Sequence, residues 1–359
     1  MTPTDFAAAL QAAVQAQDFA ATPDTWQSGA PVGPHPSIDL AVAAFPPGRA
    51  PLWANVLFSR EHPQGVVADI APPAGPVLNI RYDKDLRDRQ LDSPLWLPDA
   101  DWSHFELQPL AAASIEPATR FVATYPASLL KLMLAVGVAL AVDEGACDWP
   151  TALAPMVVTS DNNATDRVVA LLHRLGWLSA GTEHRLNQRL AALGLPTLQL
   201  NNTQRHGGWR NVDGAGVGQI HMTAWDTVRL LWLLDAQAPP PPWLPAGAPP
   251  LLQPATRAHL LGLLAAQQLD QVLSSGSLRH VPGWVPGLAD APRFAHKTGN
   301  TNSYSSDAGI VAPAPDGRGH AIVAVITSLG RRYAPHADCA TTWRLPALGA
   351  AVQALVDGL

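Results

Sequence analysis

Apolar positions recur with helical spacing along much of the chain. Those of 5–19 lie three to four residues apart, with Thr4 available as an N-cap. Gly194 follows one such stretch, as a glycine often follows a helix, and Thr223 is positioned to cap another. The spacing predicts helices over 5–19, 127–142, 184–193, 224–234, 254–273 and 345–359, and two helical segments around a polar interruption within 151–172.

Runs of β-branched and aromatic residues predict strands on either side of this helical middle. The candidate strands are 77–82, 121–124, 294–298, 308–312 and 321–329. The simplest arrangement is one largely antiparallel sheet from 76–125 and 290–330, with an inserted helical lobe over about 129–250. The seven prolines between positions 23 and 51 predict a loop-rich stretch. Those of 238–250 predict an extended connection, since successive prolines exclude helix.

Composition excludes several classes of protein. The chain has 359 residues, 47% of them hydrophobic, and a net charge of −6, so it can form a packed core and lacks the basic character of a nucleic-acid-binding protein. The longest helix-like apolar run, 129–142, carries Lys131 and is too short to span a membrane. No Lys or Arg precedes Arg49, so no signal peptide is visible and a cytoplasmic location is expected. Cys147 and Cys339 read as ordinary thiols.

Lysine is unusually rare in this chain. Twenty arginines accompany only Lys84, Lys131 and Lys297. An arginine stays protonated in a protein, whereas the pKa of a lysine shifts readily on burial. A lysine retained in such a chain is therefore a candidate for chemistry that arginine cannot perform.

Two of the three lysines lie in short polar motifs. Ser128 and Lys131 are three residues apart at a predicted helix start, which places both side chains on one face. A serine oxygen is a weak nucleophile until a base takes its proton, and a lysine with a lowered pKa can be that base. Ser160-Asp161-Asn162 occupies the polar interruption, and Lys297-Thr298-Gly299 lies on the strand that begins the C-terminal group.

The order S-x-x-K, S-D-N, K-T-G resembles the signature of class A β-lactamases and penicillin-binding proteins. Residues 125–134, 156–172, 221–234 and 295–311 resemble the nucleophile helix, the S-D-N region, the helix after the Ω-loop and the K-T-G strand of that family. The resemblance covers about 76–359. It implies a β-lactamase/transpeptidase-like α/β fold, an antiparallel sheet flanked by helices with an inserted all-helical lobe. Residues 1–75 are then an N-terminal extension packing on this core.

The resemblance also implies four catalytic residues. Ser128 is expected to be the acylated nucleophile and Lys131 its general base. Ser160 is expected to relay a proton to the leaving group, and Lys297 to supply positive charge near Ser160 and any substrate carboxylate.

Four further residues are expected to bind substrate. Asn162 is expected to hold a substrate amide, and Thr298 to offer a hydroxyl to the substrate carboxylate. The absence of a Cβ at Gly299 lets the strand approach the substrate closely. The backbone N–H groups of Ser128 and Asn300 are expected to form the oxyanion hole.

Two features depart from the family. The interval between Ser128 and Ser160 is shorter than is usual in class A enzymes. Class A enzymes have a Glu in the Ω-loop that activates the deacylating water, and this chain lacks it. The last of its five glutamates is Glu183, and the only acidic residue of the Gly-rich stretch 201–219 is Asp213. We therefore expect weak or no β-lactamase turnover.

Other chemistry finds little support. GAGVG (214–218) follows no convincing strand and precedes no GK[ST], so a phosphate site is not expected. The twelve histidines show no metal-ligand spacing, and we expect neither a metal nor a cofactor. His296 lies beside Lys297 and is either a site residue or, as we favour, a packed strand histidine. No G-x-S-x-G is present.

Three functions remain open at this point. The first is a Ser/Lys acyl-enzyme hydrolase of a small-molecule or peptide-like amide, or of an ester. The second is a slow β-lactamase or D,D-peptidase-like penicillin-interactive enzyme, which the lack of a visible leader disfavours. The third is a catalytically idle ligand-binding protein, which retention of all three motifs disfavours. The sequence indicates no nucleic-acid or membrane partner and does not indicate the oligomeric state.

Overall fold

The computed structural model describes residues 1–33, 35–84, 108–208, 220–290 and 293–359. The strands are β1 (Pro23–Asp24), β2 (Ala30–Pro31), β3 (Ile38–Ala44), β4 (Leu52–Phe58), β5 (Val66–Val67), β6 (Ile80–Lys84), β7 (Thr119–Ala123), β8 (Gln199–Leu200), β9 (Ile220–His221), β10 (Phe294–Asn300), β11 (Ser305–Val311) and β12 (Ala321–Thr327). The α-helices are α1 (Pro3–Gln15), α2 (Lys131–Asp143), α3 (Leu153–Val158), α4 (Asn162–Arg174), α5 (Arg185–Ala192), α6 (Ala224–Leu234), α7 (Pro254–Ala265) and α8 (Arg344–Asp357).

A six-stranded antiparallel sheet forms the centre of the fold. Its strand order is β10-β11-β12-β3-β4-β5. Helix α6 packs on β3, β11 and β12, whereas α1 packs on β4 and β5 and against α8. Every residue of β3 and β12 is buried, and a strand covered on both faces is apolar continuously rather than alternately. The expected α/β fold, an antiparallel sheet flanked by helices, is confirmed.

The expected membership of this sheet is wrong at its N-terminal end. The predicted strands 77–82 and 121–124 exist as β6 and β7, but they form a separate parallel pair. Tyr82 and Phe121 of this pair pack in a small apolar cluster that also contains Leu57 of β4. Their places in the sheet are taken by β3 and β4, from the stretch expected to be loops. The prolines predicted loops here, but they flank these strands and do not interrupt them. Pro46, Pro47 and Pro51 all lie between β3 and β4.

The N-terminal region is therefore only partly an extension on the core. Helix α1 does lie against the outside of β4 and β5. In contrast, β3 pairs along its whole length with β12, with Val42 opposite Val323. Residues 38–58 are thus part of the central sheet.

The helical lobe is built around α2, on which α3, α4 and α7 pack. Helix α2 is buried on all sides from Lys131 to Ala141, and Leu186 of α5 also lies against it at Gly137. The lobe was expected to span 129–250, and helices α6 and α7, on either side of residue 250, do not follow this expectation. Helix α6 lies on the sheet rather than in the lobe, and α7, beyond residue 250, packs against α2, α3 and β10.

Helix boundaries follow the predicted caps with two differences. Thr2, not Thr4, caps α1, because its side chain and that of Asp5 bond reciprocally to each other's backbone N–H. Helix α7 ends at Ala265 rather than at 273, after which Gln267 and Gln268 donate hydrogen bonds to carbonyls of α3. Within the described residues, no helix has the length and apolar character needed to cross a lipid bilayer.

Candidate active site

Ser128 lies on a tight turn between the small parallel sheet and the helical lobe. Strand β7 leads into this turn, and a short 3-10 helix, Ala127–Leu130, runs directly into α2. Ala127 has a φ of 49°, a left-handed conformation that costs a residue with a Cβ about 1 kcal/mol or more. The half-buried Ser128 hydroxyl has no hydrogen-bond partner among the described residues. The turn therefore presents an uncommitted hydroxyl on a constrained backbone.

Strand β10 fixes this turn from the other side. A Cβ added at Gly299 would lie 2.6 Å from the backbone nitrogens of Ser128 and Leu129 and from the carbonyl oxygen of Pro126. The Ser306 hydroxyl of β11 also donates to the Pro126 carbonyl. The glycine of the K-T-G motif is thus required for contact between the strand and the Ser128 turn, whereas the sequence suggested close approach to substrate.

The two lysines meet at Ser160. Lys131 Nζ donates to the Ser160 carbonyl at 2.6 Å, to Ser160 Oγ at 3.0 Å and to Asn162 Oδ1 at 2.8 Å. Lys297 Nζ donates to the same Ser160 Oγ at 3.1 Å and to the Thr298 carbonyl at 2.7 Å. Ser160 has a φ of 58°, so it is a second left-handed residue in this cluster. The structure therefore brings Lys131, Ser160, Asn162 and Lys297 into one hydrogen-bonded group.

Burial without a paired carboxylate lowers the pKa of both amines. Lys131 and Lys297 are buried, and neither forms an ion pair within the described part of the chain. Desolvation lowers the pKa of Lys131 to about 8, although Asp161 and Asp166 act in the opposite direction. Desolvation, and then repulsion from Lys131, lowers the pKa of Lys297 well below its usual value. A neutral Lys131 amine, in the cavity that Ser128 also lines, is therefore accessible near neutral pH.

A cavity of about 370 Å³ opens in front of this group. Of the predicted site residues, Ser128, Lys131, Asn162 and Asn300 line it. Ser160 and Lys297 lie behind Lys131, to which they are joined through hydrogen bonds. Thr298 and Gly299 are not among the lining residues, and Gly299 instead contacts the Ser128 turn. The eight predicted residues thus form one neighbourhood, but only half of them face the cavity.

The sequence reasoning missed other residues of this site. Asp166 and Gly208 line the cavity, and Arg331 donates from Nε to Asn300 Oδ1 at 2.7 Å. The spacing of Asp166, four residues after Asn162 on a predicted helix, was a usable signal. Arg331 had none, since it reaches the site only because β12 ends near the end of β10. Asp213 and the GAGVG segment lie outside the described residues.

His296 is a packed strand histidine, as favoured. It is fully buried, stacks on Phe294 with ring centroids 4.2 Å apart, and holds Asp307 Oδ1 through Nδ1 at 2.7 Å. Its other nitrogen lies 3.7 Å from Asp270 Oδ1, and burial raises the pKa of Asp270 to about 7. None of these three residues lines the cavity. Across the described ranges, no group of three or more His, Cys, Asp or Glu is arranged to hold a metal ion.

The chain is similar to known proteins in sequence and in fold. Residues 146–342, more than half of the chain, match the model of the Beta-lactamase enzyme family. Among solved structures, a beta-lactamase from Desulfarculus baarsii DSM 2075 is similar at 13% identity and a TM-score of 0.50, with 99% of this chain and 98% of that one covered. PBP-A is similar at 22% identity and a TM-score of 0.41, with 65% of this chain and 79% of that one covered. A representative class A beta-lactamase from Bacteroides cellulosilyticus DSM 14838 is similar at 18% identity and a TM-score of 0.45, with 66% of this chain and 85% of that one covered. No curated protein sequence matches.

Proposed function

Given that this chain belongs to the beta-lactamase enzyme family, we propose that it is a serine hydrolase that forms an acyl-enzyme on Ser128 and hydrolyses an amide or ester bond. One observation carries the proposal: two buried amines without ion pairs converge on Ser160 Oγ, and one of them, Lys131, lines the same cavity as Ser128. The matched family region begins after Lys131, so the nucleophile itself is proposed on geometry.

Lys131 acts as the general base of acylation. As an ammonium ion it can donate to all three of its oxygen acceptors. As a neutral amine it donates to two of them and has a lone pair for the proton of Ser128. The Ser128 oxygen then bonds to the substrate carbonyl carbon, and the oxyanion is held by the N–H groups of Ser128 and Asn300.

Ser160 completes the acylation step. The proton that Lys131 has accepted passes through Ser160 Oγ, 3.0 Å away, to the leaving nitrogen or oxygen as its bond to the carbonyl carbon breaks. Lys297 donates to the same Oγ and so orients the relay. Asn162, which lines the cavity, is proposed to bind the amide of the substrate. Binding of a substrate carboxylate by Thr298 stays a prediction, since Thr298 is not among the lining residues.

The substrate is proposed to be a small or peptide-like amide, which the cavity volume of about 370 Å³ can accommodate. A cytoplasmic location stays a prediction. The slow penicillin-interactive enzyme and the idle binder remain the alternatives, and the following experiment separates the proposal from an idle binder and from a β-lactamase.

The test is intact-mass spectrometry after incubation with a fluorophosphonate and, separately, with benzylpenicillin. We expect one fluorophosphonate adduct, mapped to Ser128 and absent in Ser128→Ala, with Ser114→Ala as an exposed control that labels normally. We expect benzylpenicillin either not to react or to leave a long-lived adduct, because its leaving group stays attached and occupies the route that water needs.

Each alternative predicts a different outcome. Absence of adducts with both reagents in the folded protein favours the idle binder. Steady hydrolysis of penicillin with little trapped adduct favours a β-lactamase. A fluorophosphonate adduct on any residue other than Ser128 contradicts the proposed nucleophile.

A further inference from the structure

Asp166 is a carboxylate that the acylation step does not use. It lies on α4 four residues after Asn162, so both side chains project from the same face of the helix. Both line the cavity that contains Ser128 and Lys131. The Asp166 side chain is exposed there, and its carboxylate has no hydrogen-bond or ion-pair partner in the described part of the chain. Of the other α4 side chains that line the cavity, Asn162 accepts a hydrogen bond from Lys131 and Thr165 donates one to the Asp161 carbonyl.

A glycine pair holds the chain against Asp166. Gly207 has a φ of 113°, and a Cβ added there would lie 2.7 Å from the Asp166 Cβ and 2.8 Å from its carbonyl oxygen. A Cβ added at Gly208 would lie 3.5 Å from Asp166 Oδ1, and Gly208 itself lines the cavity. The backbone of 207–208 therefore lies directly against Asp166 at the wall of the cavity.

The charge of Asp166 also reaches the catalytic amine. Desolvation lowers the pKa of Lys131, and Asp161 and Asp166 partly oppose that effect. Asp161 is committed to capping α4, since it accepts a hydrogen bond from the Ala164 N–H. Among the described residues that line the cavity, Asp166 is the carboxylate without a partner, in a chain that has no Glu in its Ω-loop-like stretch.

We propose that Asp166 is the general base that activates water for deacylation, a role that the sequence left unassigned and that rests on the proposed function. Asp166 takes a proton from a water molecule in the cavity, and the water oxygen bonds to the carbonyl carbon of the Ser128 ester. The bond from that carbon to the Ser128 oxygen then breaks, and the proton held by Asp166 passes through the neutral Lys131 amine to the serine oxygen. This restores the Asp166 carboxylate, the neutral Lys131 and the Ser128 hydroxyl, and a carboxylic acid product leaves.

The experiment is burst kinetics with p-nitrophenyl acetate. Release of p-nitrophenol reports acylation in the burst and deacylation in the steady state, while intact mass follows the acetyl group on Ser128. In Asp166→Asn we expect a burst close to that of the wild type and a steady-state rate lower by about 10²- to 10⁴-fold, the usual contribution of a general base. The acetyl-enzyme should accumulate.

Two further variants separate catalysis from a structural or purely electrostatic effect. Asp148→Asn makes the same change at an exposed carboxylate outside the cavity and should leave both phases unchanged. In Asp166→Ala, added formate should restore deacylation in part, because a free carboxylate can enter the vacated space. A merely structural role for Asp166 predicts no rescue.

The outcomes distinguish this assignment from the function on which it rests. An acetyl-enzyme that forms and decays equally fast in the wild type and Asp166→Asn overturns the role of Asp166 alone. A loss of the burst itself in Asp166→Asn also overturns it, since acylation then depends on Asp166. No adduct on Ser128 in any variant overturns the proposed function, and the role of Asp166 with it.

Discussion

Strand β10 separates two buried polar clusters of opposite character. Lys297 belongs to the first, with Lys131 and Ser160, and the adjacent His296 belongs to the second, with Asp270 and Asp307. Consecutive strand residues point to opposite faces, so neighbours in sequence lie in different environments. The first cluster adjoins the cavity through Lys131, whereas no member of the second lines it.

The clusters also differ in how their charges are balanced. In the second, the imidazole faces two carboxylates, and Asp307 also accepts a hydrogen bond from the Leu273 N–H. In the first, the two amines donate hydrogen bonds only to neutral oxygens. The second cluster pairs its imidazole with the Asp307 carboxylate, whereas desolvation lowers the pKa of both amines of the first. Burial alone therefore does not distinguish a reactive site, but buried amines that lack a hydrogen-bonded carboxylate and adjoin a cavity do.

The largest expected effect comes from Lys131→Arg, which keeps the positive charge of the first cluster but removes its base. Acylation of Ser128 should fall by about 10²-fold or more, because arginine stays protonated. The measurement is the rate of fluorophosphonate labelling against pH. The wild-type rate should rise as Lys131 loses its proton near pH 8, and the variant should show no such rise.

Lys84→Arg is the matched control for this exchange, since Lys84 lies outside the three motifs, and its labelling should equal that of the wild type. Near-wild-type labelling of Lys131→Arg would remove Lys131 from the mechanism.

An intermediate effect is expected from Gly299→Ala, which acts on the contact between β10 and the Ser128 turn. The added methyl meets backbone atoms of the turn at 2.6 Å, which cannot move aside as a flexible side chain can. Labelling should slow by about tenfold or more, and the melting temperature should fall.

The matched control for that substitution is Gly262→Ala in α7, where an added Cβ meets nothing within 4 Å. It should be neutral or stabilise by about 0.5–1 kcal/mol. Equal behaviour of the two variants would show that the turn tolerates displacement.

The smallest effect on activity is expected from Asp270→Asn in the second cluster. Folding raises the pKa of Asp270 from 3.8 to about 7, chiefly because the carboxyl group is desolvated. Between about pH 4 and 7 the folded state therefore holds a proton that the unfolded state releases, so the contribution of Asp270 to stability is lost as the pH rises.

In Asp270→Asn, this part of the pH dependence should disappear from melting temperatures measured between pH 4 and 7, while labelling of Ser128 stays near the wild-type rate. A large loss of labelling in a variant that melts normally would mean that the two clusters are coupled through β10.

Much of the helical lobe could be predicted because its signals are local. Apolar spacing and caps gave α4, α5 and α6 close to their observed bounds. The sheet was less predictable, since β3 lies between prolines and its pairing with β12 depends on residues nearly 300 positions away. The continuous apolar run IDLAVAA of β3 is typical of a strand that is covered on both faces, and this covering exists only in the folded protein.

The sequence by itself determined the chemistry available to this protein: a serine and a lysine one helical turn apart, two further short motifs, and only three lysines. Side-chain identity and short spacing are local properties, and one helix start places Ser128 and Lys131 together. Only the tertiary structure decided that both amines meet at Ser160, that Gly299 contacts the Ser128 turn and that Asp166 enters the cavity. These contacts join segments distant along the chain, and the pKa of Lys131 depends on the burial that their packing creates.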